Sequence, residues 1–153
     1  MKVLPTARIL LVDPQSDRRE ALRSALAVFG VGAIHQAATI EQLADPQLRA
    51  NIDVAVVRVD DLEQAPENPC REGLSIPAIL IAEVPGQALV RVAARGGYDA
   101  ALGAPLAPRL LYRRIGSVLQ RARRVVRSAP MLMERLPTDS LAADPAPLLA
   151  QAS

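Results

Sequence analysis

Five short apolar runs, separated by segments with helical spacing, constrain this chain more than any single residue does. The runs are "RILLVD" (Arg8–Asp13), "VGAIHQAA" (Val31–Ala38), "IDVAVVRV" (Ile52–Val59), "PAILIAEV" (Pro77–Val84) and "YDAALG" (Tyr98–Gly103). Runs that are apolar throughout, rather than at every second residue, belong to strands buried on both faces, and such strands come from parallel sheets covered by helices. Strand and helix signals alternate along the whole chain. The pattern predicts an α/β fold with a doubly wound, five-stranded parallel sheet and right-handed crossovers.

The helical segments carry their own punctuation. In "SDRREALRSALAVFG" (Ser16–Gly30), Leu22, Ala25, Leu26 and Phe29 recur at helical spacing, with Ser16 placed to cap the start and Gly30 the end. In "TIEQLADPQL" (Thr39–Leu48), Thr39 and Gln42 are in capping-box register, and Pro46 limits the helix to a few turns. "GQALVRVAARGG" (Gly86–Gly97) reads as a helix stopped by Gly96 and Gly97. A last helix is expected from about Pro108 to Arg127, with Leu111, Ile115, Val118, Ala122 and Val125 on one stripe and Pro108 in its first turn. The segment Asp60–Ser75 stands where a third helix belongs, but Pro66, Pro69 and Gly73 leave room only for fragments of one. A reduced third helix is therefore expected.

Composition narrows the function classes. Half of the 153 residues are hydrophobic, enough for one real core. No apolar run approaches the length of a membrane span, and the N-terminal run meets charge too soon for a signal peptide, so a cytoplasmic protein is expected. Cys70 and His35 are each the single residue of their type, so no disulfide framework or Cys/His metal site is predicted, and His35 reads as an ordinary strand residue. Catalytic Ser-His-Asp and Cys-His sets, metal-ligand clusters and a Gly-rich phosphate loop are all missing from the pattern. The expectation is a protein that is not an enzyme and carries no cofactor.

In an open parallel sheet, ligands bind beyond the carboxyl ends of the strands, where the strand order switches. The residues there are Asp13, Arg58, Ala82 and Ala104. Together, "RILLVDPQSDRREALRSAL", "DVAVVR", "IPAILIA" and "GGYDAALGAP" resemble, in order and spacing, the blocks of the receiver domain of bacterial two-component response regulators, over roughly residues 7–125. The resemblance implies a flavodoxin-like receiver topology and a role in signal transduction or phosphorelay. In that family an acidic pair after the first strand holds Mg²⁺ and an Asp ending the third strand accepts a phosphoryl group. A Ser or Thr ends the fourth strand, and a Lys precedes a Pro after the fifth. Here Asp13 matches the first acid and Pro14 stands in the place of the second. Arg58 stands in the acceptor's place, Ala82 in the hydroxyl's, Ala104 in that of the Lys, and Ala101 in that of an aromatic switch residue.

Sliding the third strand by two residues would put Asp60 in the acceptor's place, but would still supply neither hydroxyl nor Lys. A guanidinium cannot accept phosphate. The expected protein is thus a degenerate receiver, a pseudo-receiver acting by protein–protein interaction without phosphorylation. Arg58 is expected to pair with Asp13 or Asp60, standing in for the metal's charge; the alternative is that it reaches outward to water.

The net charge of +2 conceals an Arg-rich stretch: Arg109, Arg113, Arg114, Arg121, Arg123, Arg124 and Arg127, with no acid between Ala100 and Met133. Arg109, Tyr112, Arg113, Arg114, Arg121 and Arg124 are the candidate partner-binding residues. The resemblance implies that the face of the fourth helix, fifth strand and fifth helix meets a protein partner or forms a homodimer. Nucleic acid is the rival partner, since clustered Arg suits phosphates, although aromatic residues for base stacking are scarce. The two expected regions are a receiver-like domain over 7–127 and a Pro/Ala-rich tail over 128–153. Within the tail, "LMER" (Leu132–Arg135) is similar to the opening of the RNA-binding antiterminator (ANTAR) domain, but the length of that domain is not present and Pro145 and Pro147 interrupt the next helix. The other reading of this segment is a short amphipathic turn formed by Met131, Leu132, Met133 and Leu136.

Overall fold

The computed structural model describes residues 6–68, 76–84 and 86–135, with backbone alone for Gln64 and 123–135. Five parallel strands form one sheet: β1 (Arg8–Val12), β2 (Ala33–Ala37), β3 (Val54–Val59), β4 (Ala78–Ala82) and β5 (Ala100–Gly103). Their order is β2-β1-β3-β4-β5. The chain runs outward from β1 to β2, returns to β3 on the other side and continues through β4 to β5. The direction of winding therefore reverses between β1 and β3, which is where this fold class opens a crevice. The doubly wound α/β fold expected from the strand pattern is the fold observed.

Alternation along each strand divides the core into two layers. Ile9, Leu11, Val54, Val56, Ile79 and Ile81 pack against Leu26 of α1 (Ser16–Val28) and Leu111, Ile115 and Val118 of α4 (Pro108–Arg135). Leu10, Val12, Ala55, Val57, Leu80 and Ala82 face the other way, onto Ile40, Leu43, and Leu89 and Ala93 of α3 (Gly86–Arg95). Burying an Ile or Leu side chain completely is worth roughly 2 kcal/mol, and Ile9, Ile79, Leu80 and Ile81 in the sheet are all shut off from solvent. At the opposite edge of the sheet from the site, two acids tie strand starts together. Asp53 accepts the N–H of Arg8 at 2.8 Å, and Asp99 accepts that of Ala78 at 2.8 Å.

Helix ends depart from the sequence reading in three places. Ser16 does not cap α1: the carbonyl of Gln15 already accepts from the Arg19 N–H at 3.0 Å, so Gln15 is the cap position and Ser16 the first helical residue. Thr39 makes no side-chain cap either. The segment Ile40–Ala44 is a 3-10 turn, and Pro46, lacking an N–H, restarts the chain as the short α2 (Pro46–Ala50), which Asp45 caps through the Gln47 N–H at 2.9 Å. The third difference is the length of α4, which continues to Arg135; the boundary expected at Arg127 falls inside it. Good helix formers (Arg, Ala, Leu, Met, Gln and Glu) supply most of residues 120–135. Met131–Met133 therefore belong to a helix rather than to an isolated turn, and Leu136 with the rest of the tail lies outside the described residues. Of the described residues, those up to Leu119 form one compact unit and those from Gln120 a second.

Among the described residues, the segment expected to hold a reduced third helix carries a 3-10 turn, Leu62–Gln64, followed by irregular chain to Asn68; residues 69–75 lie outside the described residues. Gly30 and Gly97, both at positive φ (91° and 79°), end α1 and α3 as the glycine signals implied.

Candidate functional site

Asp13 follows β1 directly, at the carboxyl edge of the sheet, and is buried there. A carboxylate in that position needs its acceptor sites filled. Its backbone N–H extends the β1–β2 ladder to Ala37 O at 3.1 Å, and its Oδ1 accepts the Gln15 N–H at 2.9 Å. The remaining capacity goes to Arg18, whose Nε donates to Oδ2 and Nη2 to Oδ1, each at 2.6 Å. This is a two-pronged guanidinium–carboxylate pair with short, charge-assisted hydrogen bonds. Arg19, one residue on, donates from Nη1 to the Asp13 carbonyl and from Nε to Gln36.

The third arm of Arg18 reaches across the switch point. Nη1 donates at 2.9 Å to Oδ1 of Asp60, the residue that follows β3. One guanidinium thus bridges the carboxyl ends of the two strands flanking the crevice. The hydrogen bond from Arg18 holds the half-exposed Asp60 carboxyl below its usual range, against a smaller opposing effect of desolvation, and the charge of Arg58 adds a weaker pull in the same direction. The bond to Asp13 chiefly raises the Arg18 pKa, fixing its charge.

The expected pairing of Arg58 with Asp13 or Asp60 is therefore corrected: Arg18 holds both acids. Arg18 projects from the first turn of α1 over the ends of β1 and β3, whereas Arg58 is still within β3, in register with Ile81. Half-buried, Arg58 makes no hydrogen bond or ion pair among the described residues. Together with Val57, Val59 and Pro14 it lines a cleft of about 340 Å³. A signal for Arg18 did exist in the sequence. A cation in the first turn of a helix opposes the macrodipole, so an arginine there, five residues after an acid at a strand end, points to a carboxylate partner.

The other positions at this edge carry only methyl groups. Ala82 is fully buried at the end of β4, paired in register with Val59 and Gly103. Ala104 donates its N–H to the Ala82 carbonyl at 2.9 Å and precedes a cis peptide bond to Pro105. Ala101 packs against the α3-side core.

The receiver resemblance implies Mg²⁺ at this edge, and the donor set does not fit it. Mg²⁺ needs an octahedron of oxygens with carboxylates free to bind, whereas Asp13 and Asp60 are both engaged by a cation, and Pro14 offers no side-chain oxygen. Among the described residues, no cluster of three or more His, Cys, Asp or Glu could hold a metal ion.

On α4, Arg109 and Arg113 are exposed and Arg114 is half-buried. Tyr112 is half-buried as well, its ring 5.3 Å from that of Phe29 at an angle of 35°, so part of its surface is spent on holding α1 against α4. Arg121 is exposed in the second unit, and the side chain of Arg124 lies outside the described residues. The helices of the expected partner face, fourth and fifth in the receiver scheme, correspond to α3 and α4.

No family model matches the sequence, and no curated protein matches it significantly. Solved structures do match. A pilus assembly-related protein of Burkholderia pseudomallei aligns with a TM-score of 0.69 at 17% identity, covering 78% of this chain and 94% of its own. An orphan response regulator of H. pylori aligns with a TM-score of 0.60 at 20% identity, covering 76% and 99%. A chemotaxis response regulator of Vibrio cholerae gives 0.59 at 17% identity, covering 73% and 98%. The fold is that of the response-regulator receiver domain. No helix among the described residues is long and apolar enough to cross a membrane.

Proposed function

We propose that this chain is a cytoplasmic signalling module that uses the receiver fold without aspartyl phosphorylation, works by binding a protein partner and catalyses nothing. The observation that carries the reading is the Arg18 bridge. It occupies the acids with which a metal would otherwise be held, while an arginine stands in the acceptor's place at position 58. A metal-dependent receiver alternates between states as phosphate comes and goes. A built-in guanidinium favours one arrangement of the β1 and β3 ends throughout.

Under this reading the exposed Arg109 and Arg113 of α4 belong to the docking face, with α3 and β5, and the same face is available for a homodimer. Incubation with acetyl phosphate and Mg²⁺, followed by intact-mass measurement, tests phosphate independence: no mass change is expected, and a gain of one phosphoryl group overturns the reading. Affinity capture with the parent chain and with an Arg109→Glu/Arg113→Glu variant then tests the face. Because the Burkholderia neighbour is described as pilus assembly-related, proteins of a pilus-assembly apparatus belong among the baits.

A second reading, a transcriptional or antitermination regulator that binds RNA, is favoured by the acid-free, Arg-rich run from Arg109 to Arg127. A phosphate-driven complex weakens steeply as salt rises. An RNA complex with that salt dependence, lost in the Arg109→Glu/Arg113→Glu variant, would replace the protein-docking reading.

A further inference from the structure

We infer that the cleft beside the end of β3 binds a small carboxylate with an apolar body, anchored by Arg58. The inference goes beyond the docking reading and stands or falls independently of it. Its starting point is an imbalance. Arg18 satisfies both acids at the switch point, which leaves Arg58 half-buried with five N–H donors and no hydrogen bond or ion pair among the described residues. The charge of Arg58 also pulls weakly on Asp60, but a guanidinium partly withdrawn from water whose donors meet no acceptor among the described residues still attracts an incoming anion able to take them.

The surroundings define the rest of the ligand. The cleft has a volume of about 340 Å³, the size of small-molecule sites, and lies beyond the carboxyl ends of β1 and β3, where ligands of this fold class settle. Val12, Ile40 and Val57 supply an apolar wall, and Thr39 brings a hydroxyl that does not cap the turn following it. Three acids also line the cleft: Glu41, Asp60 and Asp61. Asp60 is engaged by Arg18, and Asp61 accepts the Glu63 N–H at 3.0 Å. Glu41, Asp60 and Asp61 are all exposed, where solvent screens them, while Arg58 is more buried and its charge is screened less. A single negative charge placed directly on the guanidinium gains from contact. A phosphate dianion doubles its repulsion from the acids along with its attraction to Arg58, costs more to strip of water, and gains nothing from the apolar wall. The site therefore selects a monocarboxylate carrying a hydrocarbon body over inorganic phosphate.

The test is a titration of the ¹⁵N-labelled full chain, read by amide chemical shifts, with hexanoate, hexanol, hexylamine and inorganic phosphate as separate probes. Hexanoate is expected to give saturable shifts at residues 38–41 and 57–61, with affinity about tenfold above each other probe, in keeping with a charge-assisted hydrogen bond. In Arg58→Met the tenfold preference for hexanoate over hexanol should vanish, with a thermal melt like the parent's confirming the fold. Should that variant fail to fold, Arg58→Gln carries the same comparison. Absence of saturable shifts at those amides overturns the assignment. So does equal or tighter binding of hexanol, hexylamine or phosphate, or a hexanoate preference that survives the loss of Arg58.

Discussion

Arg18 and Asp13 stand five residues apart in the chain and meet through two hydrogen bonds of 2.6 Å each, with the carboxylate almost wholly withdrawn from water. Truncating the guanidinium leaves a buried charge without its partner, which is far more damaging than never having had the pair. Arg18→Ala is expected to cost about 3 kcal/mol, measured as a lowered urea midpoint. The Asp13→Ala/Arg18→Ala double variant should be more stable than Arg18→Ala alone. Arg18→Lys should recover only part of the loss, because an ammonium cannot present the fork.

Placing an acid at position 58 should not by itself permit phosphorylation. An Arg58→Asp chain still has Arg18 closed over Asp13, Ala82 without a hydroxyl and Ala104 without an ammonium. Intact mass after treatment with acetyl phosphate and Mg²⁺ should remain that of the bare chain. Phosphoryl uptake is expected only when Arg18→Ala, Pro14→Asp and Ala104→Lys are added in the same chain, and uptake by Arg58→Asp alone would show that Arg18 yields the acids easily.

Stability should fall in alkali through Tyr98. Burial pushes its hydroxyl above the ordinary tyrosine value of 10.0. With the folded value raised, the unfolded chain loses its proton first, so this contribution is complete below pH 10.0 and declines above it. Tyr98→Phe should flatten that decline in urea midpoints taken across the alkaline range. At neutral pH it should cost about 1 kcal/mol for the lost hydrogen bond from Tyr98 Oη to the Pro66 carbonyl.

Two glycines should fail for different reasons. A Cβ at Gly96 would lie 3.1 Å from Cδ2 and Cε2 of Tyr98 and 3.3 Å from the Val92 carbonyl oxygen. Gly96→Ala is therefore an overpacking change of about 1–3 kcal/mol, eased when Tyr98 is made Leu. A Cβ at Gly30 meets nothing, but the backbone sits at φ 91°. Gly30→Ala should cost about 1 kcal/mol of backbone strain, with no relief from any neighbouring substitution. Thermal melts of the two pairs separate the causes.

The sheet was legible in the sequence because Ile9–Val12, Val54–Val57 and Ala78–Ala82 are runs that only two-sided burial explains. The stops at Gly30 and Gly97 were legible because positive φ favours that residue. The caps were harder. Ser16 stands one residue past the cap position, a distance that periodicity does not resolve, and Thr39 precedes a 3-10 turn without bonding it, while Pro46 moves the α-helical start to a later cap at Asp45. The site was legible in position but not in partnership. The four strand-end residues lie where strand order puts them, yet which arginine reaches Asp13 depends on how α1 lies across the β1 and β3 ends, a long-range geometry that spacing along β3 does not carry.

The chain that follows β3 is fastened at Pro66 and Asn68. Pro66 borders the cleft beside Arg58, and its carbonyl holds the Tyr98 hydroxyl. Two residues on, the Asn68 N–H bonds Gly96 O at 2.8 Å, and its side chain reaches the carbonyls of Ile76 and Gly97. The segment thus behaves as a strut braced between the crevice and the turn joining α3 to β5. Prising the cleft wall outward at Pro66 lifts Tyr98 from its seat over Gly96, so a load applied at the sheet edge is borne by the end of α3.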